Sequence, residues 1–283
     1  MQQITDTHIH IWDLQRADYL WLRDNTTVLN RTWTLAELEP ERTAAGITGG
    51  VLVQAANNFE DTDLMLETAG TTEWIRGVVG WLPLTDPGAA QQALNGKYGR
   101  HPYFKGVRHL IHDEPDPRWL MQPAVLESLS LLPHHGLTYD VVGVLPEHIE
   151  TVLELAERIP GLRMVLDHLN QPPLAAGKNF GRWGELMKAA AQHDNLHVKL
   201  SGLGTASGKG AAWQADDIKP CTAFVLELFG ADRCFCGGDW PVSLLAGSYE
   251  HTWQVYRQVL KELVKEEERE KILYSNAGRF YSL

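Results

Sequence analysis

Four residues spread along the chain have side chains suited to hydrolysis: His8, His10, His168 and Asp239. A carboxylate is ionised at neutral pH and can take a proton from water; imidazoles can donate hydrogen bonds to a carbonyl oxygen as it gains charge, or hold a metal ion. The first two form a His-x-His pair. From Ile4 to Ile11 apolar and polar residues alternate, which predicts a strand whose period of two puts His8 and His10 on one face and Ile9 and Ile11 on the other. Taken singly, His168 also reads as a core histidine and Asp239, ahead of Pro241, as a turn or cap residue. Their weight comes from meeting in space, and that needs a scaffold.

The chain order supplies one. Strand-like apolar runs end near Ile11, Ala55, Leu82, Leu110, Val142, His168, Ser201 and Asp239. Helical stretches alternate with them: Leu35 to Ala45, Asp61 to Ala69, Ala89 to Leu94, Leu126 to His134, Glu147 to Arg158, Trp183 to Gln192, Ala223 to Phe229 and Tyr249 to Val264. Eight strand–helix units whose strands are apolar throughout predict a single-domain (β/α)8 TIM barrel over residues 1–283. An open doubly wound sheet is the alternative, but no Gly-x-Gly-x-x-Gly follows the first strand. Helix-to-strand connections are short, whereas those after the strands are long: Trp12 to Trp33, His112 to Trp119, Asn170 to Arg182 and Gly202 to Asp217. That asymmetry marks the C-terminal end of the barrel as the working end. Gly202 to Asp217, rich in Gly, Ala and Ser, reads either as a mobile lid or as a disordered loop.

Composition excludes some partners. The formal net charge is −11 and Lys and Arg form no dense cluster, against nucleic acid or an anionic membrane surface. No apolar run approaches a membrane span and no leader pattern opens the sequence, so a cytoplasmic protein is expected. Cys221, Cys234 and Cys236 have neither disulfide-framework nor zinc-ligand spacing and read as reduced core thiols.

Four segments together carry a resemblance: Asp6-Thr7-His8-Ile9-His10, Val165-Leu166-Asp167-His168 ahead of Pro172-Pro173, Gly238-Asp239-Trp240-Pro241, and Ser275-Asn276-Ala277-Gly278-Arg279-Phe280-Tyr281. In this conjunction, which spans nearly the whole chain, the sequence resembles the amidohydrolase superfamily. Within it, the chain is similar to the amidohydrolase-2 branch of fuconolactonase-type sugar-acid lactonases and 2-pyrone-4,6-dicarboxylate lactonases. The resemblance implies a (β/α)8 barrel with hydrolytic chemistry at its C-terminal face, and places the first-strand pair on His8 and His10, the sixth-strand histidine on His168 and the eighth-strand carboxylate on Asp239. Many relatives add a metal-binding His on strand five and a carboxylated Lys or a Glu on strand four. Here strand five offers Tyr139 and Asp140, and strand four Lys105 and Arg108.

The expected reaction is the opening of a sugar-acid or carboxylated-pyrone lactone, Asp239 activating water while His8, His10 and His168 polarise the carbonyl. One divalent metal, zinc for example, is allowed on His8, His10 and Asp239 but not required, as in the pyrone lactonases. Arg108 and Lys199 are candidates to hold a substrate carboxylate or hydroxyl, or else form structural ion pairs. Tyr139 is a candidate donor, and Trp12, Trp81 and Trp240 candidates to stack on a sugar ring. His109, His112, His134 and His135 read as surface or loop histidines. The competing readings are a metal-dependent decarboxylase of the same branch, which would want the missing strand-five His, and a non-catalytic binding barrel.

Overall fold

The computed structural model describes residues 3–177 and 179–283. Strands β1 (Thr5–Ile9), β2 (Gly49–Val53), β3 (Ile75–Gly80), β4 (Phe104–His109), β5 (Thr138–Val141), β6 (Met164–Leu166), β7 (Leu196–Leu200) and β8 (Cys234–Cys236) pair in parallel, each with the next. The chain just past β8 closes the ring against β1: the Asp239 amide donates to the His8 carbonyl and the His10 amide to the Trp240 carbonyl, both at 2.7 Å. The fold is therefore the expected (β/α)8 barrel.

Helices α1 (Leu35–Ala45), α2 (Phe59–Thr71), α3 (Pro87–Ala93), α4 (Pro123–Leu131), α5 (Pro146–Arg158) and α6 (Gly181–Ala190) follow the first six strands. After β7 come α7 (Leu203–Ala206) and α8 (Ala215–Phe229), and after β8 come α9 (Tyr249–Leu263), α10 (Glu266–Glu270) and α11 (Asn276–Tyr281). Local chemistry sets several of these limits. Asn58, Asp86 and Ser248 cap α2, α3 and α9 by accepting from the amides of Asp61, Ala89 and His251. No helix among the described residues is long and apolar enough to cross a membrane.

Outward strand residues pack beneath the helices in one large apolar layer, while Val51, Val53, Val79, Val165, Phe235, Phe280 and Tyr281 fill the barrel interior. Phe280 and Tyr281 come from α11, so the C-terminal segment plugs the end of the barrel opposite the long loops. Cys221, Cys234 and Cys236 are buried and free.

Several expected boundaries move. The β6 strand stops at Leu166 rather than His168, because His168, Leu169, Asn170 and Gln171 all take left-handed φ angles between 51° and 55°. The β8 strand ends at Cys236, three residues short of Asp239. The helix expected from Ala223 begins at Ala215 and takes in the end of the supposed loose loop. The rest of Gly202 to Asp217 is folded too: it contains α7 and buries Trp213, whose indole donates to the Ala246 carbonyl at 2.9 Å. This segment is an anchored wall rather than a disordered loop.

Candidate active site

The period-two reading of β1 puts His8 and His10 inside the barrel mouth, and their partners fix each ring. His10 Nδ1 lies 2.7 Å from the Val53 carbonyl and must donate to it, which leaves the Nε2 lone pair facing Asp239 Oδ1 at 3.4 Å. Two acceptors at that separation require a proton or a cation between them. His8 Nε2 is 3.2 Å from Arg108 Nη1, and its Nδ1 faces Lys199 Nζ at 3.2 Å and Asp167 Oδ1 at 3.5 Å. With a cation on either side, the ring stays neutral. Burial pushes the His8 imidazole well below its ordinary range, opposed by Asp167 and reinforced by Lys199 and His168. Burial also lowers His10, against the pull of Asp239.

His168 arrives by the left-handed turn after β6. Ser201 Oγ accepts from the His168 amide at 3.2 Å and lies 2.9 Å from its Nδ1; where the hydroxyl donates to Nδ1, the ring proton sits on Nε2. Asp239, itself at φ 58°, sits just after the close contact of Gly237 with His8. A side chain at Gly237 would put its Cβ 2.5 Å from the Cβ of His8, and one at Gly202 would come within 2.6 Å of His168 Nδ1 and 3.2 Å of Asp239 Oδ2. Both glycines are therefore dictated by the site.

Beneath these four lies a fully buried ionic layer. Lys199 bridges Asp140 and Asp167 at 2.7 Å each, Arg108 reaches Asp167 at 3.2 Å, and Tyr281 donates to Asp140 at 2.6 Å. Against the upward push of burial, Lys199, His8 and Arg108 hold Asp167 well below the usual carboxylate range. Burial raises Asp140 to about 6. The layer fixes His8 and Arg108 from below.

A cavity of about 360 Å³ opens above, lined by His10, Arg108, His168 and Asp239 on its floor and by Trp21 and Leu110 on its wall. The structure thus brings His8, His10, His168, Asp239 and Arg108 together. It does not bring the other expected contacts. Lys199 is fully buried in the ionic layer, because two carboxylates hold its ammonium below the floor. Tyr139 points away from the barrel axis into the layer under the helices. Trp12 is buried with its indole on the Arg31 carbonyl, and Trp240 packs edge-on against Trp33; Trp81 binds His109. The tryptophan that lines the cavity is instead Trp21, tied to the Ala55 carbonyl at 2.8 Å within the long loop after β1. Sequence reasoning misses Ser201 and Asp167, although Asp167 directly precedes His168. His109 is no surface histidine: it is buried, 2.7 Å from Glu114 and stacked on Trp119, and His112 lines the cavity.

His8, His10 and Asp239 each offer a ligand atom, all within 4.8 Å of one another. Three such donors with an open fourth position suit a mononuclear zinc, and the unshared acceptor pair of His10 and Asp239 fits a cation well. The fit is less good at His8, whose Nε2 is already engaged by Arg108.

Comparison with known proteins identifies the family. An amidohydrolase family profile matches residues 5–283. An L-fucono-1,5-lactonase of Burkholderia ambifaria is 32% identical over 98% of this chain and 95% of its own length. An L-rhamnono-gamma-lactonase of Scheffersomyces stipitis is 28% identical over 63% of this chain and 59% of its own. A crystal structure of an amidohydrolase from Burkholderia multivorans with bound zinc superposes with a TM-score of 0.89 at 29% identity, covering 99% of both chains. With a family profile that matches residues 5–283 and a relative 32% identical over 98% of the chain, the chain belongs to the amidohydrolase family and is a hydrolase.

Proposed function

We propose that the protein hydrolyses the lactone of a neutral sugar acid. The observation that carries this reading is the meeting of one carboxylate, Asp239, and one imidazole, His168, on the floor of a single open cavity. Such an arrangement suits water addition to an ester carbonyl. Water attacks the carbonyl carbon as Asp239 takes one of its protons, and the oxyanion gathers toward His168 Nε2–H. Collapse breaks the carbon–oxygen bond to the ring, the ring oxygen takes the proton from Asp239, and the open hydroxy acid leaves.

The three imidazoles, expected as equal donors, take different parts in this scheme. His168 donates to the carbonyl; His10, committed to Val53, sets its Nε2 lone pair against Asp239 Oδ1, where it shares the proton that Asp239 takes from water; His8 braces the floor between the ionic layer and Arg108. A zinc ion on His10 and Asp239 would add Lewis-acid polarisation when bound.

The cavity also argues about substrate. Its only guanidinium among the described residues is Arg108, already paired with Asp167 and the Gln54 carbonyl, so no free cation awaits a ring carboxylate. Leu110, Val142, Val144, Val242 and Leu245 give an apolar wall instead, suited to the methyl group of a deoxy sugar lactone such as the one named for the Burkholderia ambifaria relative. We place the enzyme in the cytoplasm, where such a substrate would arise.

The test is proton release from a panel of sugar-acid lactones and carboxylated pyrones. Sugar lactones should be preferred by about a hundredfold in kcat/KM over pyrone dicarboxylates, the scale of binding a charge with no partner. Asp239→Asn should lower kcat by about 10² to 10⁴, the usual worth of a general base, with an unchanged circular dichroism spectrum. Near-normal turnover by that variant would end the general-base assignment. Decarboxylation of a carboxylated ring with no lactone turned over would replace the lactonase reading.

A further inference from the structure

We propose that Asp6 is a positioning residue of the site, whose carboxylate sets the backbone under both His8 and Asp239. One of its oxygens accepts two amides, that of His8 and that of Gly238, the residue before Asp239, each at 2.8 Å. Its other oxygen accepts from the Tyr249 hydroxyl at 2.6 Å, which fixes the rotation of the group. Asp6 is fully buried and does not line the cavity, so it can act on the reaction only through the residues it holds.

The strand register shows what this clamp does. On β1, Asp6 stands beside Gly50 and Ile9 beside Leu52, three steps against two, so Thr7 and His8 form a bulge against β2. Such a bulge re-aims the side chains that it carries. The seam where the chain from β8 meets β1 is accordingly built in part from side chains. The Thr7 hydroxyl donates to the Cys236 carbonyl at 2.7 Å and Asp6 takes the two amides, before backbone bonding resumes from Asp239 to His8 and from His10 to Trp240. Only glycine permits this approach at 238: a Cβ there would fall 2.5 Å from Asp6 Oδ2 and 2.4 Å from the Tyr249 ring.

One oxygen atom therefore fixes the offset between the two segments that carry His8 and the carboxylate. Asp239 takes a left-handed φ of 58°, and without the Gly238 anchor that turn is free to relax. A general base displaced by about 1 Å loses about a hundredfold in rate, while binding of the ground state by the cavity wall changes little. The clamp rests on geometry alone; its effect on rate rests on the lactonase reading.

Asp6→Ala should lower kcat on the preferred lactone about a hundredfold with KM within about threefold. Asp6→Asn, whose amide oxygen can still accept both backbone N–H groups, should recover about tenfold of that loss. In the Asp239→Asn background, Asp6→Ala should cost less than about tenfold further, because the residue it positions no longer takes a proton. A kcat for Asp6→Ala within about threefold of wild type, whatever its melting temperature, would overturn the proposal. So would a loss carried by KM, no recovery in Asp6→Asn, or the full loss repeated in the Asp239→Asn background.

Amide hydrogen exchange on the wild-type protein tests the clamp without any variant. The His8 and Gly238 amides should exchange as slowly as those of Val51 and Val79 inside β2 and β3. Exchange of either at the rate of an exposed loop would overturn the clamp, even if Asp6→Ala does not fold. Failure of the wild type to open any lactone would instead defeat the lactonase reading and leave the exchange rates to judge the clamp by themselves.

Discussion

Ser201 illustrates how one hydroxyl sets the chemistry of its neighbour. Its oxygen accepts from the His168 amide and lies 2.9 Å from His168 Nδ1; in the proposed mechanism the hydroxyl donates there, so that Nε2–H faces the carbonyl. Ser201→Ala should leave the imidazole free to adopt the other tautomer and to rotate. Turnover should fall about tenfold, roughly 1.4 kcal/mol, with KM nearly unchanged, since the donor matters most where the oxyanion forms. Steady-state kinetics on the preferred lactone would check this; an equal rise in KM would mean that the bond serves ground-state binding. Nothing in Leu196 to Ser201 distinguishes this serine in the sequence, because its importance depends on a turn that brings strand six beside strand seven. The His8/His10 pair was legible for the opposite reason: residue type and position along a strand were enough.

At the scale of elements, the legible features are those that follow from periodicity, and the illegible ones are breaks in it. Eight apolar strands and their helices follow from pattern. The turn from His168 to Gln171 does not, since left-handed backbone costs roughly 1–2 kcal/mol per non-glycine residue and no glycine announces it. It persists because Trp183 Nε1 holds the Leu169 carbonyl at 2.8 Å and Asn170 holds that of Leu145 at 3.2 Å. The same holds for α11: no periodicity marks it in the sequence, yet it sends Phe280 and Tyr281 into the barrel. Tyr281 donates to Asp140, which holds Lys199, which holds Asp167 under His8, so the last helix is continuous with the site floor. Tyr281→Phe should cost about 1–3 kcal/mol by leaving a buried acceptor short of a donor. Phe280→Ala should cost about 3–5 kcal/mol through the cavity it leaves. Urea unfolding would measure both, and midpoints equal to wild type would show that the plug adds no stability.

Across the whole molecule, buried titratable groups oppose one another, and their signs predict how stability follows pH. Burial lowers seven histidines: His8, His10, His101, His109, His112, His148 and His197, the last to about 4. A histidine lowered in the folded state contributes stability above the unfolded value near 6.5, and that stability is lost as pH falls. Burial also raises three carboxyls, Asp6 to about 7 and Asp61 and Asp140 to about 6. Their contribution has the reverse sign: it is complete below the unfolded value of 3.8 and is lost as pH rises through the folded one. Between pH 5 and 7 the unfolded chain therefore binds more protons through its histidines than the folded chain retains on three carboxyls, and stability should rise with pH. Asp61 allows the two contributions to be separated. It accepts from the amides of Ala55 and Ala56 and from Tyr19, pinning the loop that carries Trp21 to the barrel. The gap between about 6 and 3.8 is worth roughly 3 kcal/mol at most, present in acid and gone by neutrality. Asp61→Asn cannot titrate, so its stability should climb more steeply from pH 5 to 7 than that of the wild type, even if it is lower throughout. Thermal melts of the two proteins at pH 5, 6 and 7.5 would decide: parallel curves would mean that Asp61 stays ionised in the fold, and a wild-type midpoint falling over the same range would mean that the carboxyls outweigh the histidines.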